Sequence, residues 1–249
     1  MNSRRIRPLK AYKHFRNLIA DKEDTTQVFH IVEALDGGNL TKDFNRFVSS
    51  PEGRARFEQR RELVALLDDH DTLRQLPVGS VGQAYVEFME SQGLSAQGLV
   101  DEYDRFGKSL EDYYEADIAW YGNRRRDVHD LMHIMTGYSR DALGEACVLN
   151  FTYSQHGGLG IYFIAHMASL EVRKSAPKGS PVWKAVREAK RNGALAGNIS
   201  CEDIPALLAE NLEDARKRLN INPPTRYSEV HETMRNNGID PYGVIGAAA

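Results

Sequence analysis

Hydrophobic residues recur at helical spacing along most of the chain. In the first such stretch Tyr12, Phe15, Leu18 and Ile19 fall on one side of a helix, and comparable groups continue to about residue 219. No stretch alternates apolar and polar residues as a half-buried strand does. The pattern predicts helices over residues 26–35, 40–48, 51–67, 80–89, 95–106, 110–121, 124–137, 140–155, 159–173, 182–196 and 205–219.

These elements predict an all-α fold, a single-domain multi-helix bundle. The helical period is lost after Asn222, where two prolines follow. We therefore expect one helical domain over residues 1–222 and a loose tail over residues 223–249.

Composition and charge narrow the class of protein. Of the 249 residues, 41% are hydrophobic and 27% are charged, so a folded core is expected rather than disorder. The formal net charge of −3 argues against a general nucleic-acid binder, which would carry a basic excess. The two cysteines, Cys147 and Cys201, cannot form a disulfide scaffold or a four-cysteine zinc site, and a reducing compartment is the simpler interpretation.

Two segments bear on membrane contact. The most apolar run, residues 159–170, is too short for a bilayer span, which needs about 20 apolar residues. The first twenty residues carry six Lys or Arg and no acid. Because they also show a helical pattern, we expect an intact basic helix rather than a transit peptide. Contact with anionic lipid and an ordinary solvated first helix are its two interpretations.

One polar segment, residues 126–145, carries candidate chemistry. On a helix that turns about 100° per residue, His133 lies about 40° and Asp130 about 100° from His129, so the three side chains share one face. The following helix should return antiparallel after a short turn, which can bring Glu145 back toward the histidines. The apolar residues of the segment fall on the other side: Val128, Leu131, Ile134 and Met135.

Two imidazoles and two carboxylates make a four-ligand nitrogen and oxygen site. Zinc, iron and manganese all accept such ligands, and the lack of a thiolate argues against a structural zinc finger. The pattern is related to the HExxH motif, but Asp130 replaces the glutamate and is one methylene shorter. The alternative is a polar helix face with two solvated histidines.

At this motif the sequence resembles the coenzyme Q (ubiquinone) biosynthesis protein 4 family, whose signature is HDxxH-x11-E. HDLMH at residues 129–133, the Thr136-Gly137 pair and Glu145 match it. Residues 76–89, LPVGSVGQAYVEFM, resemble the family's LPxGTxGxxYxxFM segment. Other collinear segments extend the resemblance to roughly residues 15–222: 18–25, 183–193 and 212–221.

The resemblance implies a ubiquinone-biosynthesis enzyme, a metal-dependent carboxy-lyase. It implies a divalent ion, taken as zinc, on residues matching His129, Asp130, His133 and Glu145, with iron and manganese also compatible. The implied reaction is decarboxylation, or oxidative decarboxylation with hydroxylation, of the carboxyl-bearing ring carbon of a polyprenylated hydroxybenzoate. A second implied role is to organise the other ubiquinone-biosynthesis enzymes, and a homo-oligomer is compatible with either role.

The chemistry suggests further expectations. Arg126 is about one turn before His129 on the same predicted helix face, where it could pair with the substrate carboxylate or a ligand carboxylate, or remain solvated. A polyprenyl tail requires an apolar groove near the metal motif, with these candidate lining residues: Phe151, Tyr153, Ile161, Tyr162, Phe163 and Met167. Ordinary core packing is the alternative role for these side chains.

The expected location is the cytoplasmic face of a bacterial-type inner membrane, with peripheral contact. Two rival hypotheses remain: a non-catalytic lipid-binding scaffold with a structural metal, and a metal-dependent hydrolase. A hydrolase needs a free general base, and the motif has none left if Asp130 and Glu145 both bind the ion.

Overall fold

The structure is a computed structural model that describes residues 5–21, 24, 26–105, 107 and 110–243. Within those residues it has two short 3₁₀ turns, Leu110–Asp112 and Ile199–Cys201, and no strand. The all-α prediction is therefore confirmed. The described part contains these α-helices: α1 Pro8–Ala20, α2 Thr26–Leu35, α3 Asn39–Ser49, α4 Pro51–Gln59, α5 Val64–Asp68, α6 His70–Leu73, α7 Val81–Ser91, α8 Ala96–Arg105, α9 Ala116–Asp127, α10 His129–Thr136, α11 Ala142–His156, α12 Leu159–Ser175, α13 Val182–Leu195, α14 Ile204–Ala209, α15 Leu212–Arg218 and α16 Thr225–Asn236.

The chain, predicted as one domain over residues 1–222, divides into two compact units. The first unit comprises Met1–Gly37, Thr136–Ala196 and Ile221–Ala249, and the second comprises Gly38–Met135 and Gly197–Asn220. Each unit therefore joins segments that are distant in sequence. No helix in the described part is long and apolar enough to cross a membrane.

The first unit is built on α11, which packs against α12 and α13, while α1 and α2 pack on each other and α2 on α12. Phe15, Ile31 and Ile164 join these outer helices in a buried cluster. A glycine permits the close approach of α12 to α2. A Cβ on Gly160 would lie 2.7 Å from the Cα of Val32, so α12 and α2 meet at backbone distance.

The second unit holds α3–α9, most of α10, and α14–α15. Hydrogen bonds between buried polar groups, as well as apolar packing, connect its helices. The Tyr121 hydroxyl donates to Asp43 at 2.8 Å, and the Arg124 guanidinium donates to the carbonyl oxygens of Ser200 and Glu202. Burial lowers the pKa of Arg124 to about 10.

Two predicted helices are shorter than the apolar pattern suggests. The helix expected over 51–67 ends at Gln59, because Arg60 adopts a left-handed conformation and a charged run follows before α5. The helix expected over 110–121 is only a 3₁₀ turn followed by α9. Leu110 folds back onto Gly122, where a Cβ would lie 2.4 Å from its Cδ1, so the chain reverses between them.

Two further predicted helices are each divided in two. The helix expected over 124–137 is broken at Val128, whose ψ of 4° ends α9 before α10 begins. The helix expected over 205–219 is broken at Asn211. That residue forms an isolated antiparallel bridge with Ser80, and its side chain caps α15. Pairing of the main chain outweighs helix propensity at this point.

The predicted loose tail is wrong for residues 225–236, which form α16. Its buried positions follow a helical period, but they combine polar and aromatic residues with aliphatic ones and so give a weak apolar signal: Tyr227, Val230, His231 and Met234. The last six residues lie outside the described part. So do residues 22, 23 and 25, which belong to the segment that resembles the family's opening helix.

Candidate metal centre

Helix α10 carries three of the four predicted ligands. It begins at His129 because Val128 ends the preceding helix, and it ends at Thr136, just before Gly137, whose φ of 74° favours glycine. The rings of His129 and His133 lie one turn apart, with centroids 5.1 Å apart and planes at 88°. His133 is 1% exposed and Asp130 is 9% exposed.

The predicted apolar side of this helix is confirmed. Leu131, Ile134 and Met135 are buried in the core, and so is Val128, which directly precedes the helix. The His133 imidazole and the Asp130 carboxylate are thus enclosed beside aliphatic side chains. Burial of such groups is unfavourable unless polar partners or a cation bind their nitrogen and oxygen atoms.

Helix α7, from the segment resembling the family's LPxGTxGxxYxxFM stretch, packs aromatic residues beside α10. The Phe88 ring stacks on His133, with centroids 5.6 Å apart. One turn earlier, Tyr85 is fully buried, and its hydroxyl has no hydrogen-bond partner among the described residues. Burial raises the pKa of Tyr85 well above its usual range, and the charge of Asp130 raises it further, so this phenol stays protonated at neutral pH.

Arg216 of α15 holds the other end of α10. Its Nη2 donates to the Ile134 carbonyl at 2.7 Å and its Nε donates to the Met135 carbonyl at 3.0 Å. These carbonyls belong to the last turn, where a helix lacks internal donors and attracts a cation. The sequence did not predict this contact. Arg216 lies in the segment 212–221 that resembles the family, but that resemblance did not indicate which groups Arg216 binds.

Glu145 lies in the first turn of α11. That helix is capped by the Asp141 side chain, which accepts from the Leu143 and Gly144 amides at 3.1 and 3.2 Å. A Cβ on Gly144 would lie 1.8 Å from the Ser139 carbonyl oxygen, so glycine is needed for the tight turn. The Arg140 Nε lies 3.8 Å from the Glu145 carboxylate.

The stretch from α10 through the turn into α11 assembles a possible ion site. Within the described residues it contains the one group of three metal-binding side chains: one ligand atom each of His129, His133 and Glu145 lies within 4.8 Å of the others. Two imidazole nitrogens and a carboxylate oxygen suit zinc, iron or manganese. Asp130 shares the helix but is not in this group, so its role as a ligand stays a prediction.

Arg126 does not lie on the helix that carries the histidines. It belongs to α9, where its guanidinium donates to Asp127 at 2.8 and 2.9 Å and lies over the Tyr103 ring. Burial raises the pKa of Asp127, and the Arg126 charge opposes that rise. Arg140, which the sequence analysis did not single out, is the cation beside Glu145.

The residues proposed for an apolar groove form smaller groups: Tyr153 and Tyr162 pack against each other with ring centroids 5.0 Å apart, and Phe163 and Met167 pack on the buried cluster of the first unit. Phe151 is fully buried in the first unit, Phe163 packs edge-on against Phe15, and Met167 lines a cavity between α1 and α12. That cavity has a volume of about 330 Å³, and charged residues such as Arg16 and Lys174 also line it. A groove near the metal motif stays a prediction.

The fold and this residue group define a class of all-helical proteins with a histidine and carboxylate metal motif. Residues 15–225 match the family described as Coenzyme Q (ubiquinone) biosynthesis protein Coq4. Because this match covers most of the chain, the chain belongs to the Coq4 family.

Individual relatives agree with that assignment. The chain is 26% identical over 186 residues to the mitochondrial ubiquinone biosynthesis protein COQ4 of Scheffersomyces stipitis, covering 72% of this chain and 53% of that protein. It is 26% identical over 214 residues to the Aspergillus fumigatus protein of the same name, covering 82% of this chain and 70% of that protein. The chain thus spans about half the length of the Scheffersomyces relative.

A solved structure from Nostoc punctiforme, provisionally assigned to ubiquinone biosynthesis, shares the fold. It superposes with a TM-score of 0.65 over 88% of this chain and 100% of that one, at 18% sequence identity. Membership of the Coq4 family gives this chain a role in ubiquinone biosynthesis.

Proposed function

We propose that this protein decarboxylates a polyprenylated hydroxybenzoate, at the carboxyl-bearing ring carbon, during ubiquinone biosynthesis. The observation that carries the proposal is the group of His129, His133 and Glu145 in a chain of the Coq4 family. On this proposal the protein is a metal-dependent carboxy-lyase, and the fourth ligand is Asp130.

The donor set fits a divalent ion, with zinc as the proposed metal and iron and manganese as alternatives. When bound, such an ion supplies Lewis acidity toward a carboxylate or phenolate oxygen. The protein's own residues hold the ligands in place: Phe88 covers His133, Arg216 holds the end of α10, and Asp141 caps the helix that carries Glu145.

Binding the substrate carboxylate requires a cation near the ligands. Arg140 lies 3.8 Å from Glu145 and is partly exposed, so it can exchange that carboxylate for one on the substrate. Arg126 already pairs with the buried Asp127. We therefore propose Arg140 as the carboxylate anchor in place of Arg126.

The proposed reaction has two forms. In simple decarboxylation the bond between the ring and the carboxylate breaks, CO₂ leaves, and the ring carbon takes a proton. In the oxidative form CO₂ also leaves, the same carbon gains a hydroxyl group from water, and O₂ takes up the two electrons and leaves as hydrogen peroxide. Both forms consume the same substrate, and their products differ by one oxygen atom.

Peripheral membrane contact through α1 is part of the proposal. Leu9 is 87% exposed and Tyr12 is also exposed, while Lys13 and Arg16 flank them. Exposed apolar and basic residues on one short helix suit the surface of an anionic bilayer, where a polyprenylated substrate resides. Leu9→Glu should weaken sedimentation with anionic vesicles, whereas Leu195→Glu, at another exposed leucine, should not.

An organising role for other ubiquinone-biosynthesis enzymes is the second candidate. The observation in its favour is a run of exposed cations on α13 that form no ion pair among the described residues: Lys184, Arg187 and Arg191. Unpaired charge of one sign can attract an acidic partner surface. This role needs the surface of the protein but not its metal chemistry.

The test is rescue of ubiquinone synthesis in cells that lack the native protein. Asp130→Asn keeps the size of the side chain but removes its charge. At normal protein level it should leave little ubiquinone and cause a polyprenylated ring that retains its carboxylate to accumulate, as mass spectrometry can detect. Asp214→Asn, in exposed α15, is the matched control and should rescue fully. Normal ubiquinone in Asp130→Asn cells would leave the organising role as the better account.

A further inference from the structure

Helix α16 holds the turn between α10 and α11 through buried polar groups. The Tyr227 hydroxyl donates to Oδ2 of Asp141, and His231 Nε2 lies 3.1 Å from Oδ1 of the same carboxylate. All three side chains are nearly inaccessible to water. Because an ionised carboxylate only accepts hydrogen bonds, His231 carries its proton on Nε2 here.

Tyr227 also forms a hydrogen bond with the main chain of the turn. The Ser139 amide donates to the Tyr227 hydroxyl at 3.2 Å, and that hydroxyl in turn donates to Asp141. One phenol therefore bridges the middle of the turn and the N-cap of α11. The Tyr138 ring packs edge-on against Tyr227, with centroids 5.4 Å apart, which further restricts the tyrosine.

The Asp141 carboxylate thus accepts four hydrogen bonds. Two come from the first turn of α11 and would cap that helix without help from any other element. The other two come from α16, about 90 residues later in the sequence. They fix the direction in which the capped helix leaves the turn, and the Glu145 amide, which donates to the Asp141 carbonyl at 2.9 Å, moves with it.

We infer that Tyr227 and His231 are positioning residues of the metal centre. They act through Asp141 to hold the first turn of α11, and with it Glu145, in one orientation before an ion binds. This inference rests on the proposed metal site. It assigns a role to α16, a helix whose residues after Thr225 lie beyond the family match.

The test compares ion binding by the full-length protein with matched changes on the same helix. Tyr227→Phe removes only the hydroxyl, and His231→Leu removes the ring donor. His231→Gln restores a side-chain N–H near the Nε2 position. Met234→Ala is the control, because Met234 is buried in α16 and forms no hydrogen bond to Asp141. Zinc affinity is measured by competition with a chelator, and the coordination geometry by the absorption spectrum of the Co²⁺ form.

Loss of an outer hydrogen-bonding partner typically weakens metal binding about 10-fold or more. Tyr227→Phe and His231→Leu should show such a loss with an altered Co²⁺ spectrum, and His231→Gln should recover part of it. Met234→Ala should melt at a lower temperature but bind zinc as the parent does. Parent-like affinity in both Tyr227→Phe and His231→Leu would overturn the inference. So would an equal loss in Met234→Ala, since general destabilisation would then explain it.

Amide hydrogen exchange separates this inference from the proposed function. If the parent binds no divalent ion, the proposed function fails. Exchange of the Leu143 and Gly144 amides then tests by itself whether Tyr227 and His231 hold the first turn of α11 through Asp141. Faster exchange of these amides in Tyr227→Phe and His231→Leu, but not in Met234→Ala, supports the positioning role of Tyr227 and His231. Unchanged exchange in both variants overturns it.

Discussion

The ring of Phe88 lies stacked on the imidazole of His133, with the two planes only 21° apart. Phe88 belongs to α7 and His133 to α10, so the stack joins the two segments with the most specific resemblance to the family. It also limits rotation of the His133 ring, whose orientation decides where its nitrogens point.

Phe88→Ala should therefore weaken metal binding without removing a ligand. We expect a loss of affinity of about 10-fold, on the scale of other changes to groups that orient a ligand. Phe88→Leu, which keeps most of the side-chain volume, should lose less. A chelator-competition titration of the parent and both variants measures the effect, and equal affinities for all three would contradict it.

Arg216→Ala should destabilise the protein by removing two donors from the C-terminal carbonyls of α10. Hydrogen bonds from a charged group are worth about 1.5–3 kcal/mol, so we expect a loss in that range in urea-induced unfolding. The matched control is Arg218→Ala. Its pairs with Glu202 and Glu210 lie on the surface and should contribute no more than about 1 kcal/mol. The account is wrong if the two variants unfold alike.

Gly144→Ala should prevent the turn before α11 from closing. The added Cβ would lie 1.8 Å from a backbone oxygen, which cannot move without opening the turn, so a loss of about 3 kcal/mol is expected. Gly98→Ala, in α8, is the control. There the nearest atom is the Ser95 hydroxyl at 3.1 Å, and alanine favours helix, so stability should stay within about 1 kcal/mol of the parent. Thermal unfolding followed by circular dichroism compares them.

The sequence predicted the helical class and the residues of α10 because both depend on local period and spacing. It missed the break at Asn211, because there the chain pairs with Ser80 from a distant segment, and it missed the break at Val128, whose ψ of 4° no pattern of side chains indicated. It missed α16 because Tyr227 and His231 are buried through their bond to Asp141, which no hydrophobic pattern reveals. It placed Arg126 on the helix of the ligands by assuming one continuous helix, whereas Arg126 belongs to α9 and the histidines to α10.

Buried tyrosines should make the protein unfold in alkaline solution. Burial is the main cause of a raised pKa for each of these residues: Tyr85, Tyr103, Tyr121, Tyr138 and Tyr227. Their folded pKa values exceed the value of about 10 in the unfolded chain. This stability is therefore present below pH 10 and is lost as the pH rises from 10 toward the folded pKa values, by up to about 1.4 kcal/mol per pH unit for each of the four more deeply buried residues, Tyr85, Tyr121, Tyr138 and Tyr227, and by less for the half-buried Tyr103.

Tyr85→Phe isolates one of these contributions. Since the Tyr85 hydroxyl has no hydrogen-bond partner in the part of the chain that the structure describes, its removal should leave stability at neutral pH unchanged or raise it by about 1 kcal/mol, and should move alkaline unfolding to higher pH. Tyr121→Phe, which loses the bond to Asp43, should be less stable than the parent at neutral pH. Circular dichroism and tyrosinate absorbance, followed together against pH, test both. Alkaline unfolding of Tyr85→Phe at the parent's pH would refute the assignment.

The most direct test of the metal centre is elemental analysis of the purified protein and two histidine variants. His133→Ala removes a predicted ligand, whereas His156→Ala removes an equally buried histidine outside the ligand group. The account predicts about one divalent ion per chain in the parent and in His156→Ala, and a large loss in a still helical His133→Ala. Equal metal content in the parent and His133→Ala, or none in the parent, would contradict it.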